Sequence, residues 1–290
     1  MAIKNILVGL TGCDSDGSAL AAAYLVAEPF AAQIDVLRVQ PEPMDIIVHA
    51  AFKQFTSKMG NTELIHALQH EAESRSLSAK AAFDEFAARY FPAGGAAASG
   101  ASASWRQIEG DPIRTLSAEA RYNDLVILGR GGEMDELPVD AVANILVGCG
   151  RPLLLVPNAA VKSVGKIVAI AWKETAEAAR AVTAAMPLLQ RADRVLVLTA
   201  DEAHADPMAN IRAAERLAQA LARHGINSEA RRVPAGGEHA SRALTRSSAE
   251  QEVDLLVMGA YSHSRTRELV FGGFTRELLL SCDLPLLMLH

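Results

Sequence analysis

Aromatic residues are scarce in this chain, at 5% of 290 residues, and there are only three cysteines. Cys13, Cys149 and Cys282 are odd in number and lack metal-ligand spacing. A disulfide framework and a zinc site are therefore not expected, and the thiols read as reduced core or near-core residues. A basic excess is missing too. Lys and Arg total 28 against 34 Asp and Glu, for a net charge of -6. Nucleic acid is excluded as the main partner, since a phosphate backbone demands a basic face. No apolar run is long enough to cross a membrane, because the stretch from Ala143 to Val156 is interrupted by Gly148, Gly150, Arg151 and Pro152. Met1-Ala2-Ile3-Lys4-Asn5 runs straight into a strand and leaves no room for a signal peptide, so a soluble, cytoplasmic location is expected. No Ser, His and Asp set falls at strand ends in the manner of a triad, and no catalytic residue is assigned.

What the chain does have is apolar residues, 50% of the total. They come in short continuous runs, as in parallel strands covered on both faces. Ile6–Leu10, Ile34–Val39, Ser104–Ile108, Leu125–Leu128 and Leu153–Val156 are predicted strands. Helices are predicted at Ala19–Val26, from Thr62 to about Tyr90, after Pro112, and before Leu153. Asp14 or Ser15 is the expected cap of the first of them. The Thr62–Tyr90 helix carries its apolar stripe at Leu64, Leu68, Ala72, Leu77, Ala81 and Phe86. Phe52 and Phe55 are expected as buried anchors in an irregular stretch before it. His66 and His70 share a face of this helix, and Glu63 or Glu73 would complete a metal site. A solvated helix face accounts for the two histidines more simply.

The order then repeats. Strands are predicted at Ile167–Ala171, Arg194–Thr199, Ile226–Val233, Leu255–Met258 and Leu286–Leu289, with helices between them. Asn123-Asp124-Leu125-Val126-Ile127-Leu128-Gly129 is echoed by Val253-Asp254-Leu255-Leu256-Val257-Met258-Gly259. Arg151-Pro152-Leu153-Leu154-Leu155 is echoed by Leu284-Pro285-Leu286-Leu287-Met288. Alternating strands and helices imply right-handed crossovers and an α/β, doubly wound, mainly parallel five-stranded sheet in each half. Residues 1–158 and 164–290 are the expected domains, with the boundary in Asn158–Ser163.

One stretch carries candidate chemistry. After the strand ending at Gly259 comes a polar loop with Ser262, His263, Arg265 and Arg267, and Gly272-Gly273 opens a helix containing Leu278–Leu280. A helix N-terminus with outward N–H groups, no Cβ atoms and nearby cations forms a cradle for an anion. The same glycines would also serve if they only made turns and a cap. The corresponding first-half loop is three residues shorter before Pro152 than its partner is before Pro285. It carries Glu133, Asp135 and Glu136, with Val139-Asp140 where Gly272-Gly273 stand. Like charges there repel a phosphate by on the order of a kcal/mol per pair.

These residues resemble the universal stress protein family, in a tandem, two-domain arrangement over nearly the whole chain. Gly259 and Gly272 stand at the spacing of the family's nucleotide-binding loop. Ser262 takes the place of its second glycine, Gly273 that of its usual Ser or Thr, and Thr275 a further hydroxyl position. Lys173, after Ala171-Trp172, stands where the family has an Asp near the adenine and ribose; in the first half Thr11 does. The resemblance implies an intramolecular pseudo-dimer in which the last strands of the two repeats pair across a twofold axis. It also implies a stress-response protein that binds or senses an adenine nucleotide, ATP or AMP, with or without Mg. At most one site is expected, in the second half, formed by Ala171, Trp172, Lys173, Gly259, Ser262, His263, Arg265, Gly272, Gly273 and Thr275. Any ATP hydrolysis would be slow. The alternative from the same residues is an interaction module that docks a partner protein and binds no nucleotide. Either form is compatible with a monomer or a homodimer.

Overall fold

The computed structural model describes residues 2–41, 61–92, 100–130, 137–201, 206–260 and 273–290. The expected anchors Phe52 and Phe55 lie outside these residues. The first repeat runs β1 (Asn5–Leu10), α1 (Asp16–Ala27), β2 (Gln33–Gln40), α2 (Asn61–Tyr90), β3 (Ser102–Glu109), α3 (Pro112–Ala120), β4 (Leu125–Gly129), α4 (Val139–Cys149) and β5 (Leu153–Val156). The second runs β6 (Ile167–Ala171), α5 (Ala176–Leu189), β7 (Arg194–Ala200), α6 (Pro207–Ala222), β8 (Ser228–Val233), α7 (Ala240–Glu250), β9 (Leu255–Gly259), α8 (Gly273–Ser281) and β10 (Leu286–Leu289). Local chemistry sets several ends. Pro29 closes α1 through a 3-10 turn, after which Ala31 adopts φ 48. Asp111 and Thr175 cap α3 and α5 by accepting from Arg114 N and Ala178 N.

The chain divides into two compact units, Lys4–Cys149 and Gly150–His290, the latter with the residues before Lys4. Within the first unit the strands lie in the order β3-β2-β1-β4, all parallel. Their central members are apolar on both faces, because α1 and α3 lie against the sheet. Within the second unit the order is β5-β10-β9-β6-β7-β8. Here β9, β6, β7, β8 and β10 are parallel neighbours, and β5 runs antiparallel to β10 with Leu286 opposite Leu155. The pairing of the last strands of the two repeats is thus present. Each repeat supplies five strands, β1–β5 and β6–β10, as expected, and by its contacts β5 groups with the second repeat, where Leu153–Leu155 pair with β10.

The repeat is visible atom by atom. Asp124 accepts from Lys4 N and Asn5 N, pinning the start of β1 to that of β4. Asp254 accepts from Gly165 N, Lys166 N and Ile167 N, pinning the start of β6 to that of β9. Both β4 and β9 show four buried residues followed by a half-buried glycine.

Candidate functional site

In a doubly wound sheet the crevice lies at the C-terminal strand ends where the strand order reverses. In the second unit that point falls between β6 and β9, whose ends pair Ala171 with Met258. Beyond Ala171 the chain turns out of the sheet. Trp172 N still donates to Leu198 O at 2.8 Å, and Thr175 N donates to Lys173 O at 2.7 Å before α5 begins. Ala171 is buried, Trp172 half-buried and Lys173 exposed. A cavity of about 60 Å³ opens here. Ala171, Trp172 and Lys173 form one wall, Thr199 and Ala200 at the end of β7 another, and Asn210 of α6, Ala240 and Leu244 of α7 and Phe274 of α8 complete its lining. No carboxylate is among these residues. The indole Nε1 of Trp172 is buried and has no hydrogen-bond partner among the described residues.

Apart from Gly259, the expected site residues divide into three groups. Ala171, Trp172 and Lys173 come together around this cavity. Gly273 and Thr275 lie in the first turn of α8, whose Phe274 reaches the same cavity. Among the described residues a Cβ on Gly273 would meet nothing within 4 Å, and Gly273 is exposed, whereas Thr275 is buried. Ser262, His263, Arg265 and Gly272, with Arg267, lie outside the described residues.

Gly259 has a packing duty of its own. A Cβ there would stand 2.3 Å from Ala178 N and 2.6 Å from Glu177 C, so the first turn of α5 takes the space its side chain would need. Its lack of a Cβ is explained without a ligand. Gly129 has the equivalent duty, a Cβ there falling 2.5 Å from Ser15 Oγ at the start of α1. Beyond Gly259, Ala260 accepts from the His290 ring at 3.2 Å, and Arg180 donates to His290 O at 3.1 Å. Helix α8 is fastened to α7 through Glu277, which accepts from Ser241 Oγ and, at 2.5 Å, from Arg242 Nε. Those hydrogen bonds hold the Glu277 carboxyl below the usual range.

The equivalent point of the first unit, where β1 and β4 end, is built differently. Gly12 has φ 79, and a Cβ on it would meet Arg75 O at 2.2 Å, so the backbone of α2 lies directly on it. Arg75 Nη1 also donates to Cys13 Sγ at 3.3 Å. Below this contact Asp16 accepts from Thr11 N at 3.1 Å and Gly12 N at 2.8 Å. Asp16 is only 3% exposed, and burial pushes its carboxyl up to about 6. The N–H donors of Thr11 and Gly12 and the charge of Arg38 partly oppose that rise. Arg38, at the end of β2, is itself 1% exposed and donates to Ser76 Oγ of α2. Of the two expected caps of α1, Ser15 occupies the capping position without a side-chain hydrogen bond, and Asp16 satisfies the turn instead. An Arg within an apolar strand, with an Asp just after the neighbouring strand, is the signal in the sequence that points to this buried pair. Asp140 is exposed in the first turn of α4.

Other candidates resolve simply. His66 and His70 are both exposed on α2. Among the described residues no group of three or more His, Cys, Asp or Glu side chains is placed to hold a metal ion. Among them, too, no helix is long and apolar enough to cross a membrane.

Comparison with known proteins follows the same division. Residues 166–290 match the model of the universal stress protein family. The chain is 28% identical over 171 residues to Universal stress protein Slr1230 of Synechocystis sp. (strain ATCC 27184 / PCC 6803 / Kazusa). That alignment covers 57% of this chain and 57% of the relative, little more than half the length of each. In fold the chain is similar to a universal stress protein from Archaeoglobus fulgidus DSM 4304, with a TM-score of 0.65 at 14% identity, covering 98% of this chain and 95% of that one. It is also similar to a protein of Pseudomonas aeruginosa UCBPP-PA14 described as a universal stress protein, with a TM-score of 0.58 at 16% identity, covering 99% and 93%. The match to the family model is thus confined to residues 166–290, less than half of the chain.

Proposed function

We propose that the protein is a tandem universal stress protein, with domains at 1–158 and 164–290, that binds or senses an adenine nucleotide at a single site in its second half. The observation that carries this reading is the contrast between the two strand-order reversals. Near the β6 end there is a cavity, and among the described residues nothing lies within 4 Å of a Cβ on Gly273 in the first turn of α8. At the β1 end the backbone of α2 sits on Gly12. A nucleotide needs an apolar recess for its base and N–H donors or cations for its phosphates. Ala171, Ala200, Ala240, Leu244 and Phe274 supply apolar lining beside Trp172. Gly272-Gly273, Ser262, His263, Arg265 and Arg267 are the groups assigned to the phosphates, with Thr275 beside them. ATP and AMP are the proposed ligands, with Mg as a companion of ATP, in a cytoplasmic stress response. Gly259 serves this site by letting α5 approach.

Calorimetric titration of the whole chain with ATP and with AMP tests this. One equivalent should bind, Gly272→Asp should abolish binding, and Arg265→Ala with Arg267→Ala should weaken it, most at low salt. Two equivalents would return the first unit to consideration. Unchanged binding in Gly272→Asp would remove the loop from the site. A chain that ignores millimolar ATP and AMP would leave the protein-docking role as the better account.

A further inference from the structure

The first unit carries a differently built recess at the N-terminal ends of its strands. Both faces of a doubly wound sheet are expected to be apolar, because helices cover both. At the start of β2 and β3 one face is not. Gln33 and Asp35 of β2 stand there beside Ser102, Ser104 and Arg106 of β3, all half-buried. They form one directed chain of hydrogen bonds. Ser102 Oγ donates to Gln33 Oε1, Gln33 Nε2 to Ser104 Oγ at 3.1 Å, and Ser104 Oγ to Asp35 Oδ1 at 2.7 Å. Arg106 Nη2 donates to Asp35 Oδ2 at 2.8 Å and to Glu119 Oε2, near the end of α3, at 2.7 Å. Such a chain holds each polar head in place before any ligand arrives. A cavity of about 410 Å³ opens over Gln33, Asp35, Arg106 and Glu119, with Asn5, Asn123 and Tyr122 completing its lining.

The fold does not require these polar groups, as the second repeat shows. By strand register Asn5 corresponds to Ile167 and Asp35 to Leu196. Counted back from Asp124 and Asp254, Glu119 corresponds to Ala249 and Asn123 to Val253. Leu196 and Val253 are buried in an ordinary apolar core. The lining of the first-unit cavity then narrows the ligand. Asp35 and Glu119 outnumber Arg106 and repel a phosphate or carboxylate. Both carboxylates are already paired with Arg106, which weakens their claim on a cation. No aliphatic side chain is among the lining residues, so an apolar molecule gains little there. All but Tyr122 are amide, carboxylate or guanidinium groups, flat heads whose adjacent donors and acceptors match the adjacent hydroxyls of a sugar. Glu119 spends one carboxylate oxygen on Arg106, and Asn123 spends its amide N–H₂ on Glu119 O at 3.0 Å, so each keeps an acceptor oxygen for a ligand hydroxyl. Tyr122 is 81% exposed, and an aromatic ring open to solvent beside a polar recess is a platform for the C–H face of a sugar ring. From this arrangement we propose that the first unit binds a neutral saccharide between Tyr122 and the chain of Gln33, Asp35, Arg106 and Glu119. The cavity falls within the roughly 300–1,000 Å³ of small-molecule sites, enough for a mono- or disaccharide. The proposal does not rest on the nucleotide reading.

Titration of the full chain with glucose, galactose, mannose, maltose and trehalose, read by saturation-transfer NMR and calorimetry, tests it. At least one of these sugars should bind at millimolar concentration. Tyr122→Ala, at an exposed position, should weaken that sugar about tenfold through loss of the stacking face. Glu119→Ala, which installs the residue of the second repeat, should weaken it by roughly five- to tenfold through loss of a hydrogen-bond partner. ATP binding should be unchanged in both variants, because neither residue belongs to the second unit. Glucose 6-phosphate and spermidine, as charged probes, should bind no better than the neutral sugar. None of the sugars binding at tens of millimolar would overturn the proposal. So would tighter binding of glucose 6-phosphate or spermidine, or a sugar affinity that Tyr122→Ala leaves intact. Tyr122→Ala decides the case alone if Glu119→Ala does not fold. A chain that binds a sugar but neither ATP nor AMP supports this proposal and removes the nucleotide reading, so the two fail separately.

Discussion

Gly129 and Gly259 end equivalent strands, and each leaves room for the first turn of the helix that follows the neighbouring strand. From that shared start the two units diverge. In the first, the ends of β1 and β2 are covered by protein: α2 rests on Gly12, Arg75 reaches Cys13, and Asp16 and Arg38 are sealed beneath. In the second, the ends of β6 and β7 border a cavity. A buried carboxylate and a buried guanidinium are expensive to desolvate and return that cost only when well partnered. A recess with such groups sealed inside is committed to structure. One lined by small apolar residues is free to take a ligand. The lesson is that equivalent strands can end under a covering helix in one repeat and beside a cavity in the other, the helix between the second and third strands having 30 residues in the first repeat and 16 in the second.

The largest expected effect comes from testing the shared scaffold. Gly259→Ala puts a Cβ against the backbone of Ala178, which cannot move without shifting α5. Overpacking of this kind costs typically 1–3 kcal/mol, and the backbone contact places it at the upper end. Gly129→Ala meets Ser15 Oγ and Cβ first and the Ser15 carbonyl at 2.9 Å, so α1 has slightly more freedom to adjust. Denaturant unfolding should therefore show Gly259→Ala to be the more harmful of the two. Equal and negligible losses would mean that these glycines do not hold the helices as described.

A second prediction concerns the buried Asp16, and it separates the units by pH. Its carboxyl sits at about 6 when folded, above the ordinary 3.8. A raised aspartate value means that the folded state holds the proton more tightly than the unfolded state. The contribution to stability is thus fully present below about pH 3.8 and is lost as pH rises through 6. Wild-type stability measured against Asp16→Asn should fall by about 1–3 kcal/mol between pH 4 and 7, since each tenfold difference in proton affinity between the folded and unfolded chain is worth about 1.4 kcal/mol. The slope is the diagnostic, because Asn also presents an N–H₂ to a donor of the turn and lowers stability at every pH. A flat difference would show that Asp16 is not held by burial.

How much of this was legible beforehand follows from how local each cause is. The strands were readable because residues such as Leu125–Leu128 and Leu255–Met258 are covered on both faces and leave continuous apolar runs. The helix Asn61–Tyr90 stands where expected, but its expected stripe holds only in part: Ala72 and Phe86 are buried, whereas Leu77, at 74% exposed, and Ala81 face solvent. The last-strand pairing was what the family resemblance implied. The place where α2 lands was not, because a helix crossing Gly12 from more than 60 residues away writes no pattern into Thr11–Ser15. Asp16 was missed for the same reason: next to Asp14 and Ser15 it resembles one more capping residue, and only its burial with Arg38 sets it apart. At the candidate site, the sequence brought Ala171–Lys173 and Gly273 to one end of the sheet. It could not tell that Gly259 answers to Ala178, or that Trp172 has no partner for its N–H.

The smallest expected effect sharpens the equivalence of the repeats at the opposite ends of the strands. Asp124 and Asp254 hold the same half-buried position just before β4 and β9. Each carboxylate ties the start of the neighbouring strand, but Asp254 accepts from three backbone N–H groups and Asp124 from two. An asparagine keeps one acceptor oxygen and turns the other into a donor, so one or more of those N–H groups loses its partner. A charge-assisted hydrogen bond is worth about 1.5–3 kcal/mol, and solvent reaching a half-buried group returns part of that. Asp254→Asn should therefore cost about 1–2 kcal/mol and Asp124→Asn somewhat less, with ATP binding unchanged in both because each lies at the far end of its strand. Hydrogen exchange checks the assignment residue by residue. Gly165, Lys166 and Ile167 should lose protection in Asp254→Asn, and Lys4 and Asn5 in Asp124→Asn, with the other unit untouched. A loss that spreads through both units in either variant would mean that these aspartates do not act within their own repeat, and the parallel drawn between the two would fail at its base.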